Sequence, residues 1–466
     1  MEERYDLAVI GAGPGGYEAA IRAAQLGLKV AIIEEKDFGG TCLNWGCIPT
    51  KSLLHSAEVY QTVLNSGRFG VHAGPVGFDY EEIAKRKDTV VRQLRSGVES
   101  LLKSNGCTMI KGRATFLDQR TLAVDGAQKQ TVQADHILIA TGSRPFRPPI
   151  HGIDGPKVLD SDGVLALKSC PEKIIIIGGG VIGVEFSTVF ANLGKEVTII
   201  EMMDMILPGI DLEIAALLRR SLEKKGIKIY TGAKVTQIRS LEQAECTFQQ
   251  DGQEHKVTGD QVIVAIGRKP NTEALGLEKA GVKTERGFIR TDDYLQTSVP
   301  GIYAIGDVIG KTLLAHVASA QGLVAAANIT GKRRRMNNQV IPGCIYTSPE
   351  IASVGLTESE ALKLGRPVGI GRFPVQANGK SMILDEKEGL VKIITDQQTG
   401  EILGAHIMAP RASDLIGELC VAMRLESTIE EVGETIHPHP TVSEMIREAA
   451  DDAEGLCINK PMSRKP

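Results

Sequence analysis

The stretch Leu7-Ala8-Val9-Ile10-Gly11-Ala12-Gly13-Pro14-Gly15-Gly16 sets the architecture, because it returns as Ile174-Ile175-Ile176-Ile177-Gly178-Gly179-Gly180-Val181-Ile182-Gly183 at an offset of 167 residues. The correspondence continues: Glu18 matches Glu185, Leu26-Gly27 matches Leu193-Gly194, Val30 matches Val197, and Glu34 matches Glu201. Each copy reads as a buried apolar strand, a glycine turn, a helix, and a second strand ending in an acid. That is the order a dinucleotide-binding βαβ unit requires. Gly11 and Gly178 permit the tight turn, Gly13 and Gly180 let the backbone approach a pyrophosphate, and Gly16 and Gly183 let helix and strand pack closely. The pyrophosphate then sits at the positive end of the helix. Glu34 and Glu201 are placed to accept hydrogen bonds from an adenosine ribose 2′-hydroxyl. At the second site a 2′-phosphate would meet like charge, which favours NADH over NADPH.

On either side of the repeat, Ala134 to Pro145 and Gly259 to Pro270 are a second matched pair, each an apolar strand running into glycine, a basic residue and proline. These are plausible domain edges. The run Gly301-Ile302-Tyr303-Ala304-Ile305-Gly306-Asp307-Val308 reads as one more buried strand ending in an exposed acid, so the first unit continues beyond the second. Asp307 either bonds a ribitol hydroxyl or is a turn aspartate.

Just after the first unit lies Gly39-Gly40-Thr41-Cys42-Leu43-Asn44-Trp45-Gly46-Cys47-Ile48-Pro49-Thr50-Lys51. Its two cysteines, following a dinucleotide fingerprint, suggest a redox disulfide beside a flavin. The glycines and Pro49 read as a turn into a helix from Ser52 to Tyr60. In a regular helix residues five apart are separated by about 7.5 Å of rise. A disulfide needs Cα atoms within about 7 Å, so the helix start must be distorted. A structural disulfide, half of a zinc site, or two buried thiols are the alternatives. Zinc is disfavoured because Cys107, Cys170, Cys246, Cys344, Cys420 and Cys457 are scattered singly, and no metal is expected.

With 466 residues, 42% hydrophobic and 24% charged, the chain has material for three or four folding units. A net charge of −4 with no basic face argues against nucleic acid or an anionic membrane as partner; Lys332-Arg333-Arg334-Arg335 reads as a solvated loop. Met1 to Asp6 runs into a strand without an apolar leader, and no apolar stretch reaches the roughly 18 residues of a membrane span. A cytoplasmic protein is expected, with mostly free thiols among its eight cysteines.

After about residue 339 alternating strand-like runs, Leu390 to Ile394 and Gly404 to Met408, are followed by helices: a separate α+β unit. Near its end stands His437-Pro438-His439-Pro440-Thr441-Val442-Ser443-Glu444. The prolines keep both histidines out of helical geometry. Thr441 and Glu444 have capping-box spacing, with Glu444 at the third position of a helix reaching about Ala453. Glu444 is also placed to orient His439 and raise its basicity.

These residues together resemble the class I pyridine nucleotide-disulfide oxidoreductases over essentially the whole chain. The motifs are the two fingerprints, Gly-Gly-Thr-Cys42-x4-Cys47-Ile-Pro-x-Lys51, Ala140-Thr141-Gly142, Gly306-Asp307, Leu314-Ala315-His316 and His439-Pro-Thr-x-Ser-Glu444. The resemblance implies an α/β fold with two Rossmann-like domains and a C-terminal α+β dimerisation domain. It divides the chain into an FAD-binding domain (1–145), an NAD-binding domain (146–268), a central domain completing the FAD site (269–338) and an interface domain (339–466). It implies FAD at the first fingerprint, NAD at the second, and cofactor-binding roles for Lys51, Thr141, Gly142, Gly267, Asp307 and Ala315. Lys51 and Glu185 resemble the pair near the flavin N5, although Lys51 read alone is a solvated helix-start residue. It further implies a homodimer in which His439 and Glu444 complete the partner's active site.

The implied activity is oxidation of protein-bound dihydrolipoamide through Cys42 and Cys47, with reduction of NAD⁺. The substrate then comes in trans on the lipoylated E2 component of a 2-oxoacid dehydrogenase complex or on the H protein of glycine cleavage. Thr50, Trp45 and Pro438 depart from the residues common at those positions; Trp45 is placed to reshape substrate access and Pro438 to stiffen the base segment. A glutathione-type reductase would carry basic residues where Glu201-Met202-Met203-Asp204 stands. A mercuric reductase would end in a vicinal cysteine pair, and a soluble transhydrogenase would lack the reactive pair. An FAD-holding assembly subunit is the remaining alternative, disfavoured by the intact set Cys42, Cys47, His439 and Glu444.

Overall fold

The computed structural model describes residues 4–461, so Met1 to Glu3 of the N-terminal reading lie outside the described residues. The strand Arg4–Ile10 sits in the middle of the first sheet. Val30–Glu34 pairs with it in parallel on one side and Gln130–Ile139 on the other, with Leu7 opposite Val30 and His136. Leu7 to Ile10 are buried without alternation, as expected for a parallel strand covered on both faces. Thr108–Lys111 extends one edge, and the antiparallel strands Thr121–Asp125 and Arg113–Phe116 extend the other. Ile302–Ala304 pairs in parallel with Gln130–Ile139, Ile302 opposite Ile137, so the chain returns to the first sheet after building the second.

The helix Pro14–Gln25 packs on the helix Ala315–Ile329 at backbone distance. A Cβ on Gly15 would lie 2.6 Å from the Ala318 carbonyl oxygen, and one on Gly322 would lie 2.5 Å from that of Gly15. Small residues at this crossing let the chain beyond residue 300 seat against the first glycine turn.

The second sheet repeats the plan. Lys228–Tyr230, Glu196–Ile200, Lys173–Ile177, Gln261–Val264 and Val158–Leu159 form one parallel sheet, beside the antiparallel sheet Lys234–Ser240, Ala244–Gln250 and Gln253–Gly259. The two matched linkers meet: Ser143–Pro145 pairs antiparallel with Arg268–Pro270.

A third sheet, antiparallel throughout, runs in the order Gly343–Ile345, Glu350–Gly355, Ile402–Ala409, Leu390–Asp396, Val368–Pro374. Its two central strands differ from the alternating pattern read in the sequence, being buried at every position. Val391, Ile393, Ala405 and Ile407 pack under the C-terminal helices, while Leu390 and Met408 join the core of the second unit. The sheet is a middle layer.

Candidate functional site

Both glycine turns have the same construction. Gly11 has φ +99° and Gly178 φ +108°, and a Cβ on either would lie 2.4 Å from a carbonyl oxygen, that of Ala140 or Ala265. A Cβ on Gly16 or Gly183 would lie 2.0 Å from the carbonyl oxygen of Gly11 or Gly178. Gly13 and Gly180 are different: their backbones are ordinary, and an added Cβ would point into open space, with only Gly40 Cα at 4.0 Å from the first and nothing within 4 Å of the second. That space borders the N-termini of Pro14–Gln25 and Val181–Asn192, and neither helix has a side-chain cap or an acid in its first turn. Uncapped N–H groups facing an open cradle fit a pyrophosphate at each site.

The acids at the strand ends are also duplicated. Glu34 Oε2 accepts from Ala12 N at 2.8 Å and Oε1 from Lys36 N at 2.8 Å. Glu201 Oε2 accepts from Gly179 N at 2.5 Å and Oε1 from Met203 N at 2.7 Å. Each carboxylate therefore ties its glycine turn to the following loop, with lone pairs left for ribose hydroxyls. Burial pushes the Glu34 carboxyl up, against the two N–H donors and Lys111. The bracing role is not apparent from spacing alone.

A single cavity of about 2060 Å³ joins the two cradles. Gly11, Gly13, Gly16, Glu34, Thr141, Gly142, Asp307 and Ala315 border it, as do Gly178, Gly180, Glu201 and Gly267, together with Cys42, Cys47, Lys51 and Glu185. Gly183 lies behind it in the helix–strand contact. Asp307 is the second residue of the short turn Gly306–Ile309 and its Oδ2 accepts from Ser143 Oγ at 2.5 Å. Arg268 Nε in turn donates to Ser143 Oγ at 2.7 Å, so the paired linkers hold this acid.

The cysteines lie where two helices break. Gly40–Trp45 ends at Gly46, whose φ of −143° and ψ of −111° leave helical geometry, and Cys47–Leu64 begins at once. The second helix thus starts before the expected Ser52, with Pro49 inside its first turn, where an amide N–H has no intrahelical partner. The break is the distortion the spacing demanded: it brings Cys47 beside the Cys42 thiol, which favours the Cys47 thiolate. That neighbour, with the Lys51 ammonium, lowers Cys47 to about 7 against burial and Glu185. Cys42, beside Cys47 and buried, is held above the ordinary thiol range. Thr50 Oγ1 donates to the Gly46 carbonyl at 2.7 Å and braces the break. Trp45 borders the cavity with Lys36 Nζ 5.3 Å from its ring centre.

Lys51 Nζ donates to both oxygens of Glu185, at 2.8 and 2.7 Å. Glu185 is only 3% exposed and also accepts from Tyr346 N at 3.0 Å. The Tyr346 ring lies over Lys51, with Nζ 4.6 Å from its centre, a cation–π contact. Three units therefore converge on one ion pair. Tyr346 was not singled out in the sequence, where it follows an ordinary strand and belongs to no motif of reactive residues.

His439 and Glu444 do not border the cavity. His439 Nδ1 is 2.9 Å from Glu444 Oε1, and Glu444 Oε2 accepts from Thr441 N at 2.8 Å. The carboxylate therefore both orients the imidazole and supports the helix start. The helix begins at Glu444 itself and runs to Glu454; Thr441 Oγ1 donates to the Pro438 carbonyl at 2.7 Å, so only half of the expected capping box forms. The His439 side chain is 78% exposed. Among the described residues no group of three His, Cys, Asp or Glu side chains is arranged to hold a metal ion, and no helix is long and apolar enough to cross a membrane.

Two nucleotide cradles opening on one thiol pair define a flavin- and nicotinamide-linked disulfide oxidoreductase, and the comparisons agree. Residues 5–322 match the pyridine nucleotide-disulphide oxidoreductase family and residues 341–450 match its dimerisation domain, so the chain belongs to that family. Among curated relatives, dihydrolipoyl dehydrogenase of Bacillus subtilis is 43% identical, over 98% of this chain and 100% of its own. The enzyme of that name from Thermus scotoductus is 46% identical, over 96% and 97%. Among solved structures, LpdA from Mycobacterium tuberculosis superposes with a TM-score of 0.89 at 29% identity, over 96% of this chain and 98% of that one. The flavoprotein disulfide reductase RclA from Escherichia coli gives 0.87 at 30%, over 97% and 100%.

Proposed function

We infer that this chain is an FAD-dependent dihydrolipoyl dehydrogenase, which oxidises dihydrolipoamide and reduces NAD⁺. The observation that carries the reading is the Cys42–Cys47 pair, set close together across a helix break, inside the cavity that joins both glycine cradles. The cradle at Gly11, Gly13 and Glu34 suits FAD, and the cradle at Gly178, Gly180 and Glu201 suits NAD⁺. Bound FAD supplies a two-electron relay between the thiol pair and NAD⁺.

The chain's own residues account for the thiol chemistry. His439 Nδ1–H is held by Glu444, which leaves Nε2 to take a proton from one substrate thiol. The resulting thiolate attacks Cys42 of the disulfide, forming a mixed disulfide and releasing Cys47 as a thiolate that Lys51 stabilises. The second substrate thiol then attacks the substrate sulfur, closing the lipoyl ring, and Cys42 leaves as a thiol that carries the second thiol's proton. Two electrons and the charge of one thiolate remain on the pair. Because His439 stands outside the cavity of its own chain, the base is assigned to the cavity of a second copy, in keeping with the dimerisation-domain match. The dihydrolipoyl group arrives on a separate carrier, the E2 component of a 2-oxoacid dehydrogenase complex or the glycine cleavage H protein. Cysteines scattered singly apart from the reactive pair suit a reducing, cytoplasmic setting.

Turnover of dihydrolipoamide by the FAD-loaded protein, with NAD⁺ and NADP⁺ side by side and Cys42→Ser as control, tests this. Reduction of NAD⁺ well above NADP⁺, abolished by Cys42→Ser, is expected. An inert dihydrolipoamide alongside NADH-dependent reduction of some other disulfide would overturn the substrate assignment.

A further inference from the structure

The segment carrying His439 lies between the helices Ile429–Glu434 and Glu444–Glu454 and has neither helical nor strand geometry. His439 is flanked by prolines, which supply no backbone N–H to anchor it. Ile436 is 94% exposed. His437 is the contrast, with a side chain only 5% exposed. Its Nδ1 lies 2.9 Å from the Thr435 carbonyl oxygen, and its Nε2 lies 2.8 Å from Glu418 Oε1, on the helix Ala412–Arg424. A carbonyl oxygen and a carboxylate only accept, and a neutral imidazole carries one N–H. Both contacts are satisfied together only by the imidazolium.

We propose that His437 is a positioning residue for the proton transfer assigned to His439: its imidazolium clamps the proline-flanked segment to the helix Ala412–Arg424 and places a positive charge near the His439–Glu444 pair. This rests on the reading of His439 as the base. The charges facing His437 favour the arrangement. Glu418 raises its pKa above the ordinary histidine value, against burial; the Thr435 carbonyl adds to the rise and Arg447, from the helix Glu444–Glu454, opposes it. The charge is felt at Glu444, where burial raises the pKa but the Thr441 N–H, His439 and then His437 hold it below the ordinary carboxylate value. An ionised Glu444 keeps the Nδ1–H of His439 engaged and Nε2 directed outward. As pH rises through the raised value of His437, its proton passes to solvent, one of the two contacts loses its hydrogen, and the clamp opens. The His437 charge therefore shapes the pH dependence of dihydrolipoamide oxidation, beyond its effect on the fold.

The test uses the FAD-loaded protein. kcat/KM for dihydrolipoamide is measured across pH in the unmodified protein, Glu418→Gln, His437→Gln and His439→Gln, with melting temperatures. NADH-dependent ferricyanide reduction serves as a readout that needs no base. Glu418→Gln retains an oxygen acceptor but loses the charge, so the alkaline limb is expected to move about one unit to lower pH, with melting and ferricyanide reduction unchanged. His437→Gln is expected to lower kcat about tenfold and to remove the alkaline limb that loss of the His437 proton imposes. Should His437→Gln fail to fold, Glu418→Gln decides. Profiles that superimpose on the unmodified protein, or a loss equal at every pH, overturn the proposal while an inactive His439→Gln leaves the base reading standing. An active His439→Gln would sink that reading and this one with it.

Discussion

At Cys47 the neighbouring Cys42 thiol does most to lower the pKa, against burial, and two opposed charges a short distance away adjust it further. Lys51 favours the thiolate and Glu185 disfavours it, and the pair neutralise each other across contacts of 2.7 and 2.8 Å. Lys51→Met removes the cation and leaves Glu185 buried, so the pH midpoint for alkylation of the reduced protein at Cys47 should rise from about 7 by at least one unit, read by iodoacetamide labelling and mass spectrometry. Glu185→Gln should move it the other way; an unmoved midpoint in both would mean that the Cys42 thiol alone tunes Cys47. The cysteine pair was readable in the sequence because two cysteines so closely spaced after a fingerprint are rare, whereas Lys51 and Glu185 were read as a pair only through the family resemblance. Tyr346 was not, since its role comes from a backbone N–H and a ring face that only the approach of the third sheet brings to the pair.

Among the elements, the glycine turns separate two demands that look alike in the sequence. Gly178 is needed by the protein itself: its φ of +108°, and the Ala265 carbonyl oxygen 2.4 Å from where a Cβ would stand, leave no room for a side chain. At Gly180 a Cβ would meet nothing of the protein within 4 Å and would point into the open cradle. Gly178→Ala should therefore lower stability by about 1–3 kcal/mol from backbone strain alone, seen in urea unfolding. Gly180→Ala should change stability by less than about 0.5 kcal/mol yet weaken NADH binding at least tenfold in a fluorescence titration. Equal losses of stability would refute the distinction. The break at Gly46 was legible only in part. Disulfide geometry required a distortion near Cys47, but the helix was expected to start at Ser52 rather than Cys47. Pro49 reads as a breaker along the chain, whereas it stands within the first helical turn, where the missing N–H costs nothing.

For the whole molecule, a buried charge cluster joins the third sheet to the second unit. Lys392, its side chain 1% exposed, bonds Asp211 Oδ1 at 2.9 Å and Oδ2 at 3.0 Å, and also reaches Glu213 at 3.1 Å. Lys392→Met would strand Asp211, and a loss of about 3–5 kcal/mol is expected in chemical denaturation. Burial raises the Asp211 carboxyl, but Lys392 more than reverses this and the net pKa is lowered. Its stabilisation is thus present above the unfolded carboxylate range and is lost as pH falls through the lowered value. At this scale the shared site is also testable. Cys42→Ser and His439→Gln chains, each inactive alone, should regain turnover when co-expressed, because a mixed dimer has one site with both the thiol pair and the base. No recovery would place His439 with the cysteines of its own chain.

The doubled nucleotide unit, its glycines and acids, and the closely spaced cysteine pair are written in the order of amino acids, because each depends on local backbone geometry and on spacing along one chain. Other relations exist only in the folded molecule: the two cradles open into one cavity, Asp307 is held through Ser143 by Arg268, Tyr346 closes over Lys51, and His437 is clamped by Glu418. Those relations join residues brought together by the packing of sheets and helices against one another, which no local pattern encodes.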